Sequence, residues 1–302
     1  MNVSLRNKQR PKVAILTKTL KCPPYALVRG IHLLSLDAPL VATLWLHEFS
    51  RILDLTQPTA TYLSLFGAVW FIYLVDRFLD SNNKQKGKIL GLRHATLGRS
   101  PSYSLLGIAS LGCANLYLVT QLPTSVFILG LKVAFLVLIY LLCYHLLPLR
   151  PWVARFKEEW MAAIFVIGVL VPVLGRSATV DRPFLILIGL FYATCLLNCR
   201  TLTFWENRSD PAFQTAPQPG SQKPAIDRLY WAYGWVAGIC LLAMFLLPDA
   251  YAHAAIALSL ACGGFACLHY LQPHWGLEST RALIDPVLIA GLAIVHIWEA
   301  ML

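Results

Sequence analysis

The side chains in this sequence with the clearest capacity for chemistry are four carboxylates in two matched pairs. In YLVDRFLD, residues 73–80, Asp76 and Asp80 stand four apart; in WENRSD, residues 205–210, Glu206 and Asp210 do the same. That spacing puts both members of a pair on one helical face, where like charges repel. Paired hard oxygen donors suit Mg²⁺, which keeps several waters and shares its sphere with substrate phosphates. Asn198 lies two turns before Glu206 on roughly the same side and joins that set. A single pair has a plainer reading, as helix-end carboxylates dissolved at a membrane interface. Two matched pairs, each at the end of a span running in the same direction, favour a shared cation.

Basic residues follow both pairs. LGLRHATLGR supplies Arg93, His94 and Arg99, and YHLLPLRPWVARFKEEW supplies Tyr144, Arg150, Arg155 and Lys157. Arg150 and Lys157 lie nearest to span ends, where a cation can clamp phosphate oxygens that a metal leaves free. Their plainer role is contact with lipid headgroups. Trp70, Phe71, Tyr73, Phe191 and Tyr192 stand within a few turns of the acidic pairs. Their π faces suit a carbocation, although core packing is the commoner use of such rings.

Other candidates carry less. The eight histidines form no HxxxH or HExxH box, which disfavours a zinc or di-iron enzyme. Asp37-Ala-Pro39 and Asp285-Pro286 read as helix starts, with Asp as cap and Pro in the first turn. The eight cysteines form no CxxC pair and read as small buried hydrophobes; Cys195 and Cys199 share a helical face.

The elements that must position these groups are membrane spans. The chain has 302 residues, is 57% hydrophobic and only 13% charged. Ordinary soluble domains are ~45–50% apolar and ~25% charged, so a soluble fold is excluded. Windows of about 20 residues, the length that crosses a bilayer, predict nine spans near 33–50, 59–79, 102–121, 124–146, 159–176, 183–204, 230–247, 252–271 and 283–301. Residues 1–27 form a basic tail without the apolar core of a secretory signal; having no acidic residue, they leave an organellar transit segment open. Of 25 Lys and Arg, 21 fall in the N-terminal segment to Arg29 or near the loops after even-numbered spans. Only Arg51, Lys132, Arg176 and Arg182 fall on the other side. This asymmetry predicts a cytoplasmic N-terminus and places both acidic pairs at the cytoplasmic face. The net charge of +10 reads as topology and headgroup attraction, not as nucleic-acid binding, because no basic run is interleaved with aromatics on a soluble domain. Loop 209–228, rich in proline and glutamine, is expected to be mobile and able to cover a site.

Nine spans with acidic motifs after the second and the sixth resemble the UbiA superfamily of intramembrane prenyltransferases over residues ~30–302. In IYLVDRFLD, residues 72–80, Asp76 and Asp80 match the family's Asn-Asp-x-x-Asp-x-x-x-Asp motif, while Ile72 and Tyr73 replace its asparagine and first aspartate. Glu206-x-x-x-Asp210 is similar to the second motif, SLDAPLVATLW to the family's first span, and YHLLPLR to the end of its fourth.

The resemblance implies an all-α bundle of nine transmembrane helices, residues 28–302, with an active-site cavity at the cytoplasmic face. It implies two Mg²⁺ ions held by Asp76, Asp80, Glu206 and Asp210. It also implies transfer of a prenyl group from a prenyl diphosphate to an aromatic or other lipid-soluble acceptor, within the membrane that most simply is the bacterial cytoplasmic one. Tyr73, Arg150 and Lys157 are the expected catalytic side chains, and Asn198 is expected beside the cofactor. The replaced positions 72 and 73 support the alternative of a non-catalytic, lipid-binding or scaffold member.

Overall fold

The computed structural model describes residues 23–82, 101–145, 155–176, 180–209 and 222–301. Those residues form ten helices and no strand. They are α1 (Pro23–Leu33), α2 (Asp37–Ile52), α3 (Thr59–Asn82), α4 (Pro101–Val119), α5 (Thr124–His145), α6 (Lys157–Gly175), α7 (Arg182–Ser209), α8 (Gln222–Leu246), α9 (Asp249–Trp275) and α10 (Leu277–Met301). Every span expected from hydropathy is a helix, α2 to α10 in order. Among the described residues, seven are long and apolar enough to cross a bilayer, or eight if the bent pair α1 and α2 counts as one span, where nine were expected. The 16 residues of α2 rise about 24 Å, and the apolar part of α4, Ser104–Val119, is equally short of the ~30 Å hydrocarbon layer. The chain is an all-helical, multi-pass membrane protein.

Between α1 and α2 the axis turns by 96°. Ser35 makes the corner at φ 61°, in the left-handed region that few non-glycine residues adopt. The indole of Trp70 on α3 donates to the Leu34 carbonyl at 2.9 Å and pins that corner. The first expected span therefore begins at Asp37, not at residue 33.

Polar contacts fix two ends of the bundle. The ends of α3, α5, α7 and α9 lie with the starts of α2, α6 and α10. This is the end at which the sequence places most of its Lys and Arg, and it is called the site end below. The core runs between α2 and α7. Trp45 stacks on Phe191 with centroids 4.5 Å apart, and Phe49 meets Phe184 and Phe191 edge-on at 5.6 and 5.3 Å. Water cannot drive helix association inside lipid, so close approach of small residues carries more of it. On α9, Ala254, Ala257, Ala261 and Gly264 supply that surface to α10. A Cβ at Gly291 would lie 2.4 Å from the Ala257 carbonyl oxygen, so only glycine permits this crossing. By contrast α5 and α8 turn Leu131, Phe135, Trp231 and Phe245 outward, as lipid-facing helices do.

Candidate functional site

Five helices meet at the site end around a cavity of about 40 Å³. Its wall includes Ala38 and Val41 of α2, Tyr73 of α3, Met161 and Phe165 of α6, Cys195, Asn198 and Cys199 of α7, and Asp285 of α10. Helical spacing explains the α7 contribution, since residues 195, 198 and 199 fall on one face. The Asn198 amide donates from Nδ2 to Asp285 Oδ1 at 2.7 Å. Asp37, His32 and Arg77 are buried, and Asp37 Oδ2 lies 2.7 Å from His32 Nδ1. Tyr73 stands within electrostatic reach of Asp285, Cys199, Asp37 and Arg77. A polar cluster thus occupies the buried interior of this bundle end.

Two of these groups correct the sequence reading. Asp285 does not start a helix; it lies eight residues inside α10, and Pro286 follows it within the helix. Membrane helices tolerate such a proline where neighbours supply the missing partners. Asp37 opens α2 but does not cap it, because its carboxylate turns to His32 and to the adjacent Ala38 N–H. A signal for both was present in the sequence: an ionisable side chain within or beside an apolar span is a functional candidate by default.

The expected site residues divide. Tyr73 and Asn198 line the cavity together. Lys157, at the start of α6, donates to the Tyr144 hydroxyl at 3.2 Å, sits 4.6 Å from that ring's centroid, and lies within electrostatic reach of Cys199. Asp76 lies 3.0 Å from Nε2 of His145, a partner that the sequence reading did not single out. Glu206 is half-exposed and accepts from Arg281 of α10 at 2.6 Å. Arg155 sits over the Phe156 ring, 6.0 Å from its centroid. Arg93, His94, Arg99, Arg150, Asp210, the Asp80 side chain and most of loop 209–228 lie outside the described residues.

Of the expected aromatic wall, only Tyr73 reaches the cavity. Phe191 packs in the α2–α7 core, Phe71 faces Gly112 of α4, and Trp70 holds the α1–α2 corner. Phe165, unremarked in the sequence reading, supplies the second ring. The rings separate because a helix distributes successive side chains around its axis, and only one in three or four faces any given neighbour.

Among the described residues, no three His, Cys, Asp or Glu side chains group as metal ligands. Asp76 and Glu206 each face a cationic or ionisable partner instead. The described side chains therefore compose no magnesium site on their own. No family model matches the chain, and no curated protein or solved structure matches it.

Proposed function

We propose that the chain is an intramembrane prenyltransferase of the UbiA type, working at the site end of the bundle. The observation that carries this reading is the cavity shared by Tyr73, Asn198 and Asp285, placed where α3 and α7 end with their acidic motifs. A prenyl diphosphate is amphiphilic. Its head needs cations and donors, and its tail needs an apolar surround. Lys157, Arg200 and Arg281 stand at this end to meet the anion, while Phe165 and Tyr73 border the cavity with ring surface. A π face stabilises an allylic cation without acting as a strong nucleophile.

Magnesium would supply charge stabilisation of the leaving diphosphate. The described side chains form no ligand set for it on their own. The reading extends to orientation: with the site end cytoplasmic, reporter fusions after residues 90 and 215 read inside, and fusions after 181 and 302 read outside. The test of function is diphosphate release from allylic prenyl diphosphates by the purified protein, with and without Mg²⁺, for the wild type, Asp76→Asn, Asp80→Asn and Glu206→Gln. Wild-type release that each substitution abolishes is the expected result. No release from any donor, together with a melting temperature indifferent to Mg²⁺ and diphosphate, overturns it.

A second reading has its own observation. A cavity of about 40 Å³ holds no prenyl tail, since ligand pockets span roughly 300–1,000 Å³. Asp76 and Glu206 are also already engaged. A non-catalytic member that keeps the bundle for lipid contact or scaffolding fits both facts, and the same assay decides between the two.

A further inference from the structure

The end of the bundle opposite the site end, the far end, joins five ionisable side chains in one run of contacts. Glu48 and Arg51 lie near the end of α2, His253 near the start of α9, and His296 and Glu299 in the last two turns of α10. His253 Nδ1 meets Glu299 Oε1. His296 uses both ring nitrogens: Nδ1 lies 3.0 Å from Glu299 Oε2, and Nε2 lies 3.2 Å from Glu48 Oε2. Arg51 spans the two carboxylates, 2.9 Å from Glu48 Oε1 and 3.5 Å from Glu299 Oε1. Helix α7 also starts at this end, but it turns Phe184 to Phe49, and the preceding Asp181 accepts from the Tyr251 hydroxyl at 2.9 Å. Among the described residues, the charges acting on Glu299 are those of His296, Arg51 and His253, and those acting on Arg51 are Glu48 and Glu299. The set is closed on itself.

Hydrogens in this set can be counted. Each of the three imidazole–carboxylate contacts needs one. Two neutral imidazoles carry one N–H each, and ionised carboxylates carry none, so two hydrogens would serve three contacts. Charge gives the same answer. Arg51 balances one of the two carboxylates, which leaves a surplus negative charge in a cluster whose Glu48 is 1% exposed. One added proton closes both counts. We propose that the far end is a proton-binding clasp, in which a single proton held by His296 between Glu48 and Glu299 ties α10 to α2 and α9. The side chains of His253, His296 and Glu299 each keep a quarter or more of their surface exposed, so the proton exchanges with the aqueous phase at that face. The closed clasp holds one proton more than the open one; acid therefore closes it and alkali opens it. Below about pH 6, where a free imidazole is itself protonated, the dependence levels off. The clasp stands apart from the prenyl-transfer reading and does not need it.

Amide hydrogen–deuterium exchange of the full chain in lipid nanodiscs, corrected for the intrinsic effect of pH on exchange, reads the opening of the last two turns of α10. In the wild type the opening equilibrium is expected to rise by about tenfold per pH unit above neutrality, the slope of one proton. Glu299→Gln supplies the missing hydrogen from its amide and removes the surplus charge, so the same turns should stay protected at every pH, without a slope. His296→Leu removes two of the three contacts, and the end of α10 should open at every pH, again without a slope. The two variants thus lose the pH dependence in opposite senses, which a merely structural ion pair would not produce. A flat wild-type profile, a wild-type slope retained in either variant, or protection lost at every pH in Glu299→Gln overturns the proposal. Should Glu299→Gln fail to fold, the wild type and His296→Leu decide by the same criteria.

Discussion

Helix α2 carries one buried carboxylate near each end, Asp37 and Glu48, both 1% exposed. They lie three turns apart on nearly the same face, yet their surroundings differ. At the far end Glu48 is saturated. It accepts from Arg51 through both oxygens, at 2.9 and 3.2 Å, and lies 3.2 Å from Nε2 of His296. Glu299 closes the network through Arg51, His253 and His296. Three helices, α2, α9 and α10, are tied there by one continuous set of charges. At the site end the polar groups are numerous, and among the described residues the buried Asn198 carbonyl has no hydrogen-bond partner. A satisfied buried network rigidifies and fixes helices, whereas a buried polar atom left unpaired carries a cost that a core alone does not explain. The comparison assigns structure to the far end and chemistry to the site end.

The sharpest way to break that assignment is to damage the far end. Glu48→Gln removes the charge that partners Arg51 and His296. Losing one member of a fully buried pair costs about 3–5 kcal/mol; here about 2–4 kcal/mol is expected, because Arg51 is 38% exposed and water screens it. Thermal unfolding in detergent should show a fall of several degrees. Donor binding to the protein that remains folded should be unchanged. A melting temperature equal to wild type would mean that the network contributes nothing, and the contrast between the ends would lose its basis.

Gly291 lies on α10 between the two regions, six residues after Asp285 and five before His296. Gly291→Ala forces a methyl to within 2.4 Å of the Ala257 carbonyl, so α10 must shift away from α9. Overpacking of this kind costs about 1–3 kcal/mol. Because the shift moves Asp285 and His296 together, stability and donor turnover are expected to fall in the same variant. Stability falling alone, with kcat intact, would show that the ends do not depend on a shared α9–α10 seam.

The cavity can be widened instead of damaged. Met161→Ala and Phe165→Ala both remove wall atoms while leaving Asn198 and Asp285 in place. If volume limits what this end admits, the double variant should bind an allylic prenyl diphosphate more tightly than wild type, at a cost of several kcal/mol in stability. Equilibrium donor binding in nanodiscs checks it, and unchanged affinity would detach donor access from cavity size.

The helices were legible in the sequence because apolar run length and the lipid layer speak to each other directly. Their ends at 59, 124 and 182 fall within a residue or so of expectation. The short α2 was misjudged by its start, since Leu33 and Leu34 extend the apolar run while Ser35 turns the chain through the corner. The site was legible in part. Tyr73 and Asn198 could be singled out by type and position, but their partner Asp285 was read as a cap because a proline follows it. Pairings such as Glu48 with His296, or Asp76 with His145, join residues far apart in sequence. No local spacing records them; only packing brings them together.

The smallest expected effect separates the two ends most cleanly. Asn198→Leu deletes an unpaired buried acceptor, a gain of about 1–3 kcal/mol, and also removes the donor to Asp285, a loss of about 1.5–3 kcal/mol for a bond to a charged group. These nearly cancel, and leucine fills almost the same volume, so stability should stay within about 1 kcal/mol of wild type. A glutamate-to-glutamine change at the far end alters fewer atoms yet should cost more. Side-by-side melts of Asn198→Leu and Glu48→Gln measure that difference directly. If the Asn198 variant proves the less stable of the two, its amide is a structural tie, the cavity beside it is incidental packing, and the chemistry assigned to this end must be sought among other side chains.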